Sequence, residues 1–233
     1  MYWLVAIAIV LIASALLVWA SADIGSNIYI KTLCRADGTE PVVALTFDDG
    51  PDEQMTPRVL DVLKEHNIKA AFFIVGEKAE KHPEIVRRIV DEGHIAANHT
   101  YSHKGMFPMS GIEAISNELA QCSDAIAKQT GRHPKLFRPP FGVTNPTIAK
   151  AVKLNDLNTV GWSIRSLDTA ASDSREGVCN RVVSRLHNGA VILLHDRCKE
   201  ADVLLRMLIA EIGQSGYRFI ALNEMFNIEV YED

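Results

Sequence analysis

The chain has 233 residues and a formal net charge of −5, and 48% of its residues are hydrophobic. These values exclude a disordered chain, a collagen and a coiled coil, each of which has a skewed composition. A mildly acidic chain also lacks the basic face by which most proteins bind nucleic-acid phosphates, so we expect no nucleic-acid partner.

The first twenty residues differ from the rest of the chain, because nineteen of them are apolar. As a helix, residues 2–20 would span roughly 28 Å, about the hydrocarbon thickness of a bilayer. Tyr2, Trp3 and Trp19 stand where interfacial aromatic residues are expected. An A-x-A-like sequence ending at Ala22 leaves a cleaved signal peptide open as a second interpretation. We therefore assign residues 1–22 to a transmembrane anchor or signal peptide.

The next segment, residues 23–40, has no clear pattern and is expected to be a connector. After it, apolar and amphipathic segments alternate. Strands are predicted over 42–47, 70–75, 94–97, 136–137, 159–164, 190–194 and 217–222. Helices are predicted over 56–66, 83–92, 110–130, 145–154, 175–187 and 201–214. This alternation predicts a parallel sheet covered by helices, and six to seven units favour one α/β barrel, complete or incomplete, over two domains.

Distinctive polar residues follow the ends of the predicted strands. They are Asp48, Asp49, His99, His103, Arg138, Asp168, His195 and Asp196. The loops at the C-terminal ends of barrel strands converge and form active sites, so we expect these groups to share one mouth.

Two histidines, His99 and His103, are four residues apart, which on a helical turn places both imidazoles on one face. With a carboxylate from another strand end they would form a two-histidine, one-carboxylate site suited to Zn²⁺, Fe²⁺ or a similar ion. The alternative is a pair of surface loop residues. Asp48 and Asp49 also have two interpretations. Either one aspartate binds the metal while the other accepts a proton, or the pair belongs to a turn built on Asp-Gly-Pro.

Two further residues each have two interpretations. His195 follows a buried strand, and it is either a general acid with a pKa near the working pH or a satisfied core residue. Arg138 either fixes a carboxylate by a bidentate contact or caps a strand at the surface. The four cysteines, which are Cys34, Cys122, Cys179 and Cys198, contain no CxxC pair, and both free thiols and a disulfide stay open.

Four ordered motifs carry a family resemblance: TFDDGP at 46–51, HTYSH at 99–103, RPPFG at 138–142 and LLHD at 193–196. Together they resemble the polysaccharide deacetylases, carbohydrate esterase family 4, also called the NodB-homology domain. The likeness covers roughly residues 41–222. It implies a distorted (β/α) barrel of about seven parallel strands, here preceded by an N-terminal hydrophobic helix, with residues 41–233 as the catalytic domain.

The resemblance also implies residue roles. Asp49, His99 and His103 would bind a divalent metal, usually Zn²⁺, while Asp48 would be the general base, Arg138 its orienting partner and His195 the general acid. The main chain near Phe141 would stabilise the oxyanion, and Leu193 and Leu194 would line the pocket for the acetyl methyl group. Trp162 is also expected to contact the substrate.

One motif departs from the family pattern of Asp-x-x-Asp-Trp after the fifth strand. Arg165 stands in place of the first Asp and Thr169 in place of the Trp, whereas Asp168 matches the second Asp and is expected to tune His195. Arg165 is expected either to contact an acidic glycan or to pair with a nearby carboxylate such as Asp173.

The implied activity is metal-dependent removal of acetyl groups from N-acetylglucosamine residues of a peptidoglycan, chitin-type or surface polysaccharide. Such a substrate lies outside the cytoplasm. The catalytic domain is therefore expected on the extracytoplasmic side of a membrane, or free in the periplasm or medium if the N-terminus is cleaved. The alternatives are an O-acetyl esterase on a polysaccharide, a metal-dependent amidase on a small molecule, and a membrane-tethered glycan-binding protein without turnover.

Overall fold

The computed structural model describes residues 2–170 and 174–232, and the elements below are those of the described residues. The strands are β1 (Thr32–Leu33), β2 (Val42–Gly50), β3 (Ala71–Ile74), β4 (Ile95–Asn98), β5 (Leu136–Phe137), β6 (Asn158–Val160), β7 (Ile164–Arg165), β8 (Ala190–His195) and β9 (Arg218–Phe219). The α-helices are α1 (Tyr2–Ala22), α2 (Met55–Glu65), α3 (Gly76–Lys81), α4 (Pro83–Asp91), α5 (Ile112–Thr130), α6 (Pro146–Leu154), α7 (Arg175–Val183), α8 (Ala201–Gln214) and α9 (Leu222–Phe226).

The strands form one curled sheet in the spatial order β1-β6-β5-β4-β3-β2-β8-β7, and the short β9 pairs with the first residues of β2. Every strand pair in this order is parallel, since helices and loops connect successive strands. The sheet curls into an open half-barrel, which confirms the distorted α/β barrel predicted from the sequence.

The strand predicted over 159–164 is in fact two strands that lie far apart in this order, because β6 lies between β1 and β5 whereas β7 lies beside β8. Gly161 lies in the chain between β6 and β7, and its N–H donates to the carbonyl of Leu33 over 3.0 Å. A Cβ at Gly161 would lie 2.6 Å from the Sγ of Cys34, so this close approach requires glycine. The strand pairing is interrupted between β6 and β7, but the apolar pattern continues through both strands. Periodicity therefore predicted a single strand.

Alternation along β2 separates two layers of the core. Val43, Leu45 and Phe47 belong to the cluster between the sheet and the helices, and all three are at most 2% exposed. Ala44 faces the opposite side and joins a smaller cluster inside the half-barrel. Successive strand residues point to opposite faces, so a strand buried on both sides reads as a continuous apolar run.

Three local features were not predicted. β1 lies within the predicted connector over 23–40, since a two-residue strand is too short to show a pattern. The sequence of α3, GEKAEK, is almost wholly polar, so it has no amphipathic signal. The strand predicted over 217–222 is shorter, because the chain turns into α9 at Leu222. The four cysteines are free thiols.

Helix α1 is the one described helix long and apolar enough to cross a membrane. Its side chains are exposed except those of Ala20, which is buried, and Ser21, which is half-buried. At its C-terminal end it contacts the barrel, because the N–H of Thr144 donates to the carbonyl of Ser21 over 3.0 Å. The carbonyl of Ala20 accepts hydrogen bonds from the hydroxyls of Ser26 at 2.9 Å and of Thr144 at 3.4 Å. The last turn of α1 is therefore part of the folded domain.

His94, just before β4, gives the fold a dependence on pH. It is 3% exposed, and burial, with the nearby charge of Lys69, lowers its pKa to about 4. An unfolded histidine has a pKa of about 6.5, so between these pH values the unfolded state binds more protons. The stabilisation is complete above pH ~6.5 and is lost as the pH falls towards ~4.

We expect the variant His94→Asn to flatten this part of the profile of unfolding free energy against pH, measured by urea denaturation. The matched variant His133→Asn, at an exposed histidine, should keep the wild-type slope. The expected difference in slope, integrated over the range, is on the order of 3 kcal/mol. An unchanged slope in His94→Asn would show that other groups cause the acid sensitivity.

Candidate active site

Five of the eight polar residues predicted at the strand ends line one cleft at the C-terminal end of the half-barrel. The cleft has a volume of about 240 Å³. The predicted residues that line it are Asp48, Asp49, His99, His103, Phe141, Trp162, Leu193 and His195. Arg138 and Asp168 lie behind this surface, where the side chain of Arg138 is 0% exposed and that of Asp168 is 3% exposed.

Arg138 lies under the cleft and holds Asp48. Its Nη1 donates to Asp48 Oδ1 over 2.6 Å and to the hydroxyl of Thr46 over 2.9 Å. Its Nε and Nη2 donate to the carbonyls of Val160 and Gly161. The guanidinium therefore joins the ends of β2, β5 and β6. The surface interpretation of Arg138 is wrong, because the residue is buried. The predicted bidentate contact is also wrong, because only Nη1 contacts Asp48 and it uses Oδ1 alone, which leaves Oδ2 available.

Asp49, His99 and His103 form a cluster with the geometry of a metal site. Asp49 Oδ1 lies 3.4 Å from His99 Nε2 and 3.3 Å from His103 Nε2. One donor atom from each residue lies within 4.8 Å of the others. Ligand atoms about 2.0–2.1 Å from a tetrahedral ion are about 3.3 Å from each other, so this spacing and donor set fit a divalent ion.

Backbone conformation, rather than a helical turn, brings this cluster together. The HTYSH segment is a loop, and Thr100 and His103 have positive φ values of 68° and 49°. Asp49 has a φ of 71°, at an irregularity in the pairing of β2 with β3. Positive φ is rare for residues with a side chain and is concentrated at functional sites. The helical geometry that suggested the pairing of the two histidines is therefore absent, although their imidazoles do meet.

The second nitrogen of His99 is also engaged. Its Nδ1 lies 2.8 Å from the carbonyl oxygen of Arg138, which orients Nε2 towards Asp49. Such a hydrogen bond fixes the tautomer and the ring plane of a metal-binding histidine. Burial acts to raise the pKa of Asp49, but the hydrogen bond and charge of His99 and the hydrogen bond from Arg197 outweigh it, so this pKa lies well below its usual range.

His195 lies beside Asp48 in register across β2 and β8, and it is held by Asp168. Asp168 Oδ1 lies 2.8 Å from His195 Nδ1, and Asp168 Oδ2 accepts the backbone N–H of His195 over 2.8 Å. With Nδ1 engaged, Nε2 faces the cleft, 4.0 Å from Asp49 Oδ2. Burial acts to lower the pKa of His195, but the hydrogen bond and charge of Asp168, with the charges of Asp48 and Asp49, raise it overall.

The predicted substrate-contacting residues separate into two groups. Phe141 is 52% exposed, has a φ of 62° and packs edge-on against His103 at 5.2 Å between ring centroids. Leu193 and Trp162 also line the cleft. Leu194 does not, because alternation along β8 turns its side chain into the core cluster that contains Phe47. The expectation for Leu194 is therefore corrected.

Sequence reasoning missed two cations beside Asp49. Arg197 Nε donates to Asp49 Oδ2 over 2.8 Å, and Lys78 Nζ donates to the backbone carbonyl of Asp49 over 2.5 Å. Arg197 follows the LLHD motif by one residue, so proximity to a strand end was its only signal. Lys78 lies on α3, a helix that the sequence pattern did not predict.

Asp196, the last residue of the LLHD motif, is a buried residue that supports the site. It is 0% exposed, accepts a hydrogen bond from the hydroxyl of Thr56 over 2.5 Å, and occupies the space where a side chain of Gly50 would stand. Burial raises the pKa of Asp196 to about 7. It ties the start of α2 to the end of β8, behind the paired aspartates.

Comparison with known proteins identifies the family of this chain. A family model described as Polysaccharide deacetylase matches residues 35–160. A peptidoglycan-N-acetylglucosamine deacetylase of Bacillus cereus is 38% identical over 188 residues, which cover 79% of this chain and 68% of that protein. The peptidoglycan-N-acetylmuramic acid deacetylase PdaA of Bacillus subtilis is 31% identical over 189 residues, which cover 80% of this chain and 72% of PdaA.

Among solved structures, the Bc1960 peptidoglycan N-acetylglucosamine deacetylase in complex with 4-naphthalen-1-yl-N-oxidanyl-benzamide superposes with a TM-score of 0.79. It is 34% identical, and the match covers 86% of this chain and 95% of that chain. Fold, ordered motifs and relatives therefore agree. The chain belongs to the polysaccharide deacetylase family, carbohydrate esterase family 4, and its enzyme class is that of a polysaccharide deacetylase, a hydrolase.

Proposed function

We propose that this protein removes acetyl groups from the N-acetylated amino sugars of peptidoglycan by metal-dependent hydrolysis. The observation that carries the proposal is that Asp48 and His195, in register on neighbouring strands, line the same cleft as the cluster of Asp49, His99 and His103. The relatives named above act, by their names, on N-acetylglucosamine or N-acetylmuramic acid of peptidoglycan.

The metal is assigned as Zn²⁺ held by Asp49, His99 and His103. Two imidazoles and one carboxylate with open coordination positions are the donor set of catalytic zinc sites. When bound, such an ion supplies a Lewis acid that polarises the amide carbonyl and favours deprotonation of water. Arg197 and Arg138 act behind these ligands, on Asp49 Oδ2 and on the orientation of His99 respectively.

Asp48 is assigned as the general base. Arg138 occupies Oδ1, so Oδ2 is the oxygen that accepts a proton from the attacking water. The water oxygen bonds to the acetyl carbon, and the carbonyl becomes a tetrahedral oxyanion. Within the loop, Gly142 and Val143 donate their N–H groups to the carbonyls of Pro139 and Pro140. We assign the Phe141 N–H as the donor to the oxyanion.

His195 is assigned as the general acid. Asp168 holds its Nδ1, so Nε2 carries the proton that passes to the sugar nitrogen as the C–N bond breaks. The products are acetate and a free amino sugar. The raised pKa of His195 keeps it protonated to higher pH than a free histidine, as this role requires. Leu193, which faces the cleft, provides an apolar contact for the acetyl methyl group.

The first prediction separates the base from the metal ligands. Asp48→Asn keeps an acceptor for Arg138 and should lower kcat for acetate release by about 10²–10⁴-fold while zinc content stays at one per chain. His103→Asn should instead lose zinc, measured by elemental analysis after gel filtration, together with activity.

The matched control is Asp61→Asn, at an exposed aspartate that pairs with Arg88 far from the cleft, and both readouts should stay at wild-type values. Wild-type turnover in Asp48→Asn would remove Asp48 as the base. Full zinc content in His103→Asn would remove His103 as a ligand.

The second prediction concerns the leaving group. An amine must be protonated to leave, whereas an activated phenol ester leaves without help. His195→Ala should therefore lower kcat/KM for an acetylated chitooligosaccharide by about 10²-fold or more, and for 4-nitrophenyl acetate by much less. An equal loss for the amide and for the ester would contradict the role of His195 as acid.

We also propose that α1 is a retained membrane anchor and that the barrel faces the extracytoplasmic side. The support is the contact of α1 with the domain, because cleavage after Ala22 would remove the acceptors used by Thr144, a residue that is 2% exposed. Helical structure continues through Ala22, so the A-x-A-like sequence is not an extended segment open to a peptidase.

The intact mass of protein purified from bacterial membranes should therefore include residues 1–22. The control is a variant lacking residues 7–13, whose shortened apolar segment has the length of a signal-peptide core and should be cleaved. A wild-type mass that begins at Asp23 would overturn the anchor.

A further inference from the structure

Arg165 lies at the mouth of the cleft, and none of the described residues is a counter-ion for it. It pairs in register with Leu193 across β7 and β8, so both side chains start from the same face of the sheet. Arg165 is exposed and lines the cleft, and its guanidinium carbon lies 5.8 Å from the centroid of the Trp162 ring. Among residues 2–170 and 174–232, no side chain or carbonyl forms a hydrogen bond or ion pair with it. The predicted alternative partner, Asp173, lies outside the described residues.

A second guanidinium faces the same space. Arg197 donates through Nε to Asp49, is 43% exposed and also lines the cleft. The cleft thus contains two guanidiniums, Arg165 and Arg197, against two carboxylates, Asp48 and Asp49. Asp48 is already neutralised by Arg138 from below. A cleft in which the acids are already paired with cations is complementary to an anion, although the chain as a whole carries −5.

We propose that Arg165 is a specificity-determining residue that binds a carboxylate carried by the glycan beside the acetamido group. The inference rests on the proposed function and narrows its substrate class to acidic N-acetylated glycans. In peptidoglycan this carboxylate is that of the lactyl substituent on the 3-oxygen of a muramic acid that carries no stem peptide. It lies either on the sugar that loses its acetyl group or on the neighbouring sugar.

The surroundings of Arg165 suit this role. The indole of Trp162 lies between Arg165 and Arg138, at 5.8 Å and 5.6 Å from the two guanidinium carbons, and so restricts Arg165 without using its N–H donors. Thr169, in place of a tryptophan, lines both the cleft and an adjoining cavity of about 540 Å³. This opening gives room for a substituent on the bound sugar. The planar guanidinium can then bind a carboxylate through two hydrogen bonds.

The experiment compares three tetrasaccharides on the full-length protein in detergent. One is built from N-acetylglucosamine and N-acetylmuramic acid with free lactyl carboxylates, one is the same molecule with lactyl methylamides, and one is chitotetraose. The measured quantity is the ratio of kcat/KM for the carboxylate and methylamide substrates. We expect a ratio of about ten for the wild type at low salt, and a ratio that falls as salt is added.

Arg165→Gln should bring this ratio close to one, and Arg165→Lys should restore part of it. The matched control Arg218→Gln removes an exposed arginine that pairs with Glu40 at the opposite end of the barrel, and it should keep the wild-type ratio. Mass spectrometry of the products identifies which sugar carries the free amine, and so whether the carboxylate lies on the reacting sugar or on its neighbour.

A wild-type ratio near one, or an unchanged ratio in Arg165→Gln, overturns the assignment of Arg165. If Arg165→Gln fails to fold, a ratio in Arg165→Lys that is independent of salt overturns it instead. Wild-type protein that releases acetate from none of the three substrates overturns the proposed function, which is a separate result.

Discussion

The buried contact between Arg138 and Asp48 is the interaction on which the rest of the cleft depends. A guanidinium with no exposed surface must find partners for its donors, and Arg138 finds them on β2 and at the end of β6. These partners come from strands far apart in sequence, so the ion pair forms only when the half-barrel is assembled. Removing one partner of such a pair leaves a buried charge uncompensated, which is far costlier than losing a surface pair.

The same residue organises the groups around it. Its side chain fixes one oxygen of Asp48, its carbonyl orients the ring of His99, and its guanidinium lies 4.0 Å from the ring centroid of Phe73 beneath it. Asp48, His99 and the floor of the cleft therefore depend on one residue. Asp168 in turn positions His195 through both its ring and its backbone. The buried side chains of Arg138 and Asp168 thus orient the two residues that are proposed to exchange protons with the substrate and water.

The sequence predicted the alternation of strands and helices, because buried parallel strands and amphipathic helices each leave a strong periodic signal. It also placed the polar residues at one end of the sheet. Alternation along a strand already implies that Leu193 and Leu194 face opposite sides, but it does not identify which of the two faces the cleft, and the expectation from the family resemblance assigned both to the pocket. The sequence could not place Arg197, because the contact of that residue with Asp49 depends on a turn after β8 and not on any pattern.

The positive φ values at Asp49, Thr100, His103 and Phe141 show why the remaining geometry escaped prediction. Each of these residues carries a side chain in a backbone region that favours glycine, so local preference argues against the observed conformation. Surrounding structure must impose it, and the same loops meet the last turn of α1 through Thr144, three residues after Phe141. Helix α1 and the loop that lines the cleft are thus joined by hydrogen bonds. The conformation of the loop that carries Phe141 is therefore supported in part by backbone acceptors that the last turn of the N-terminal helix provides.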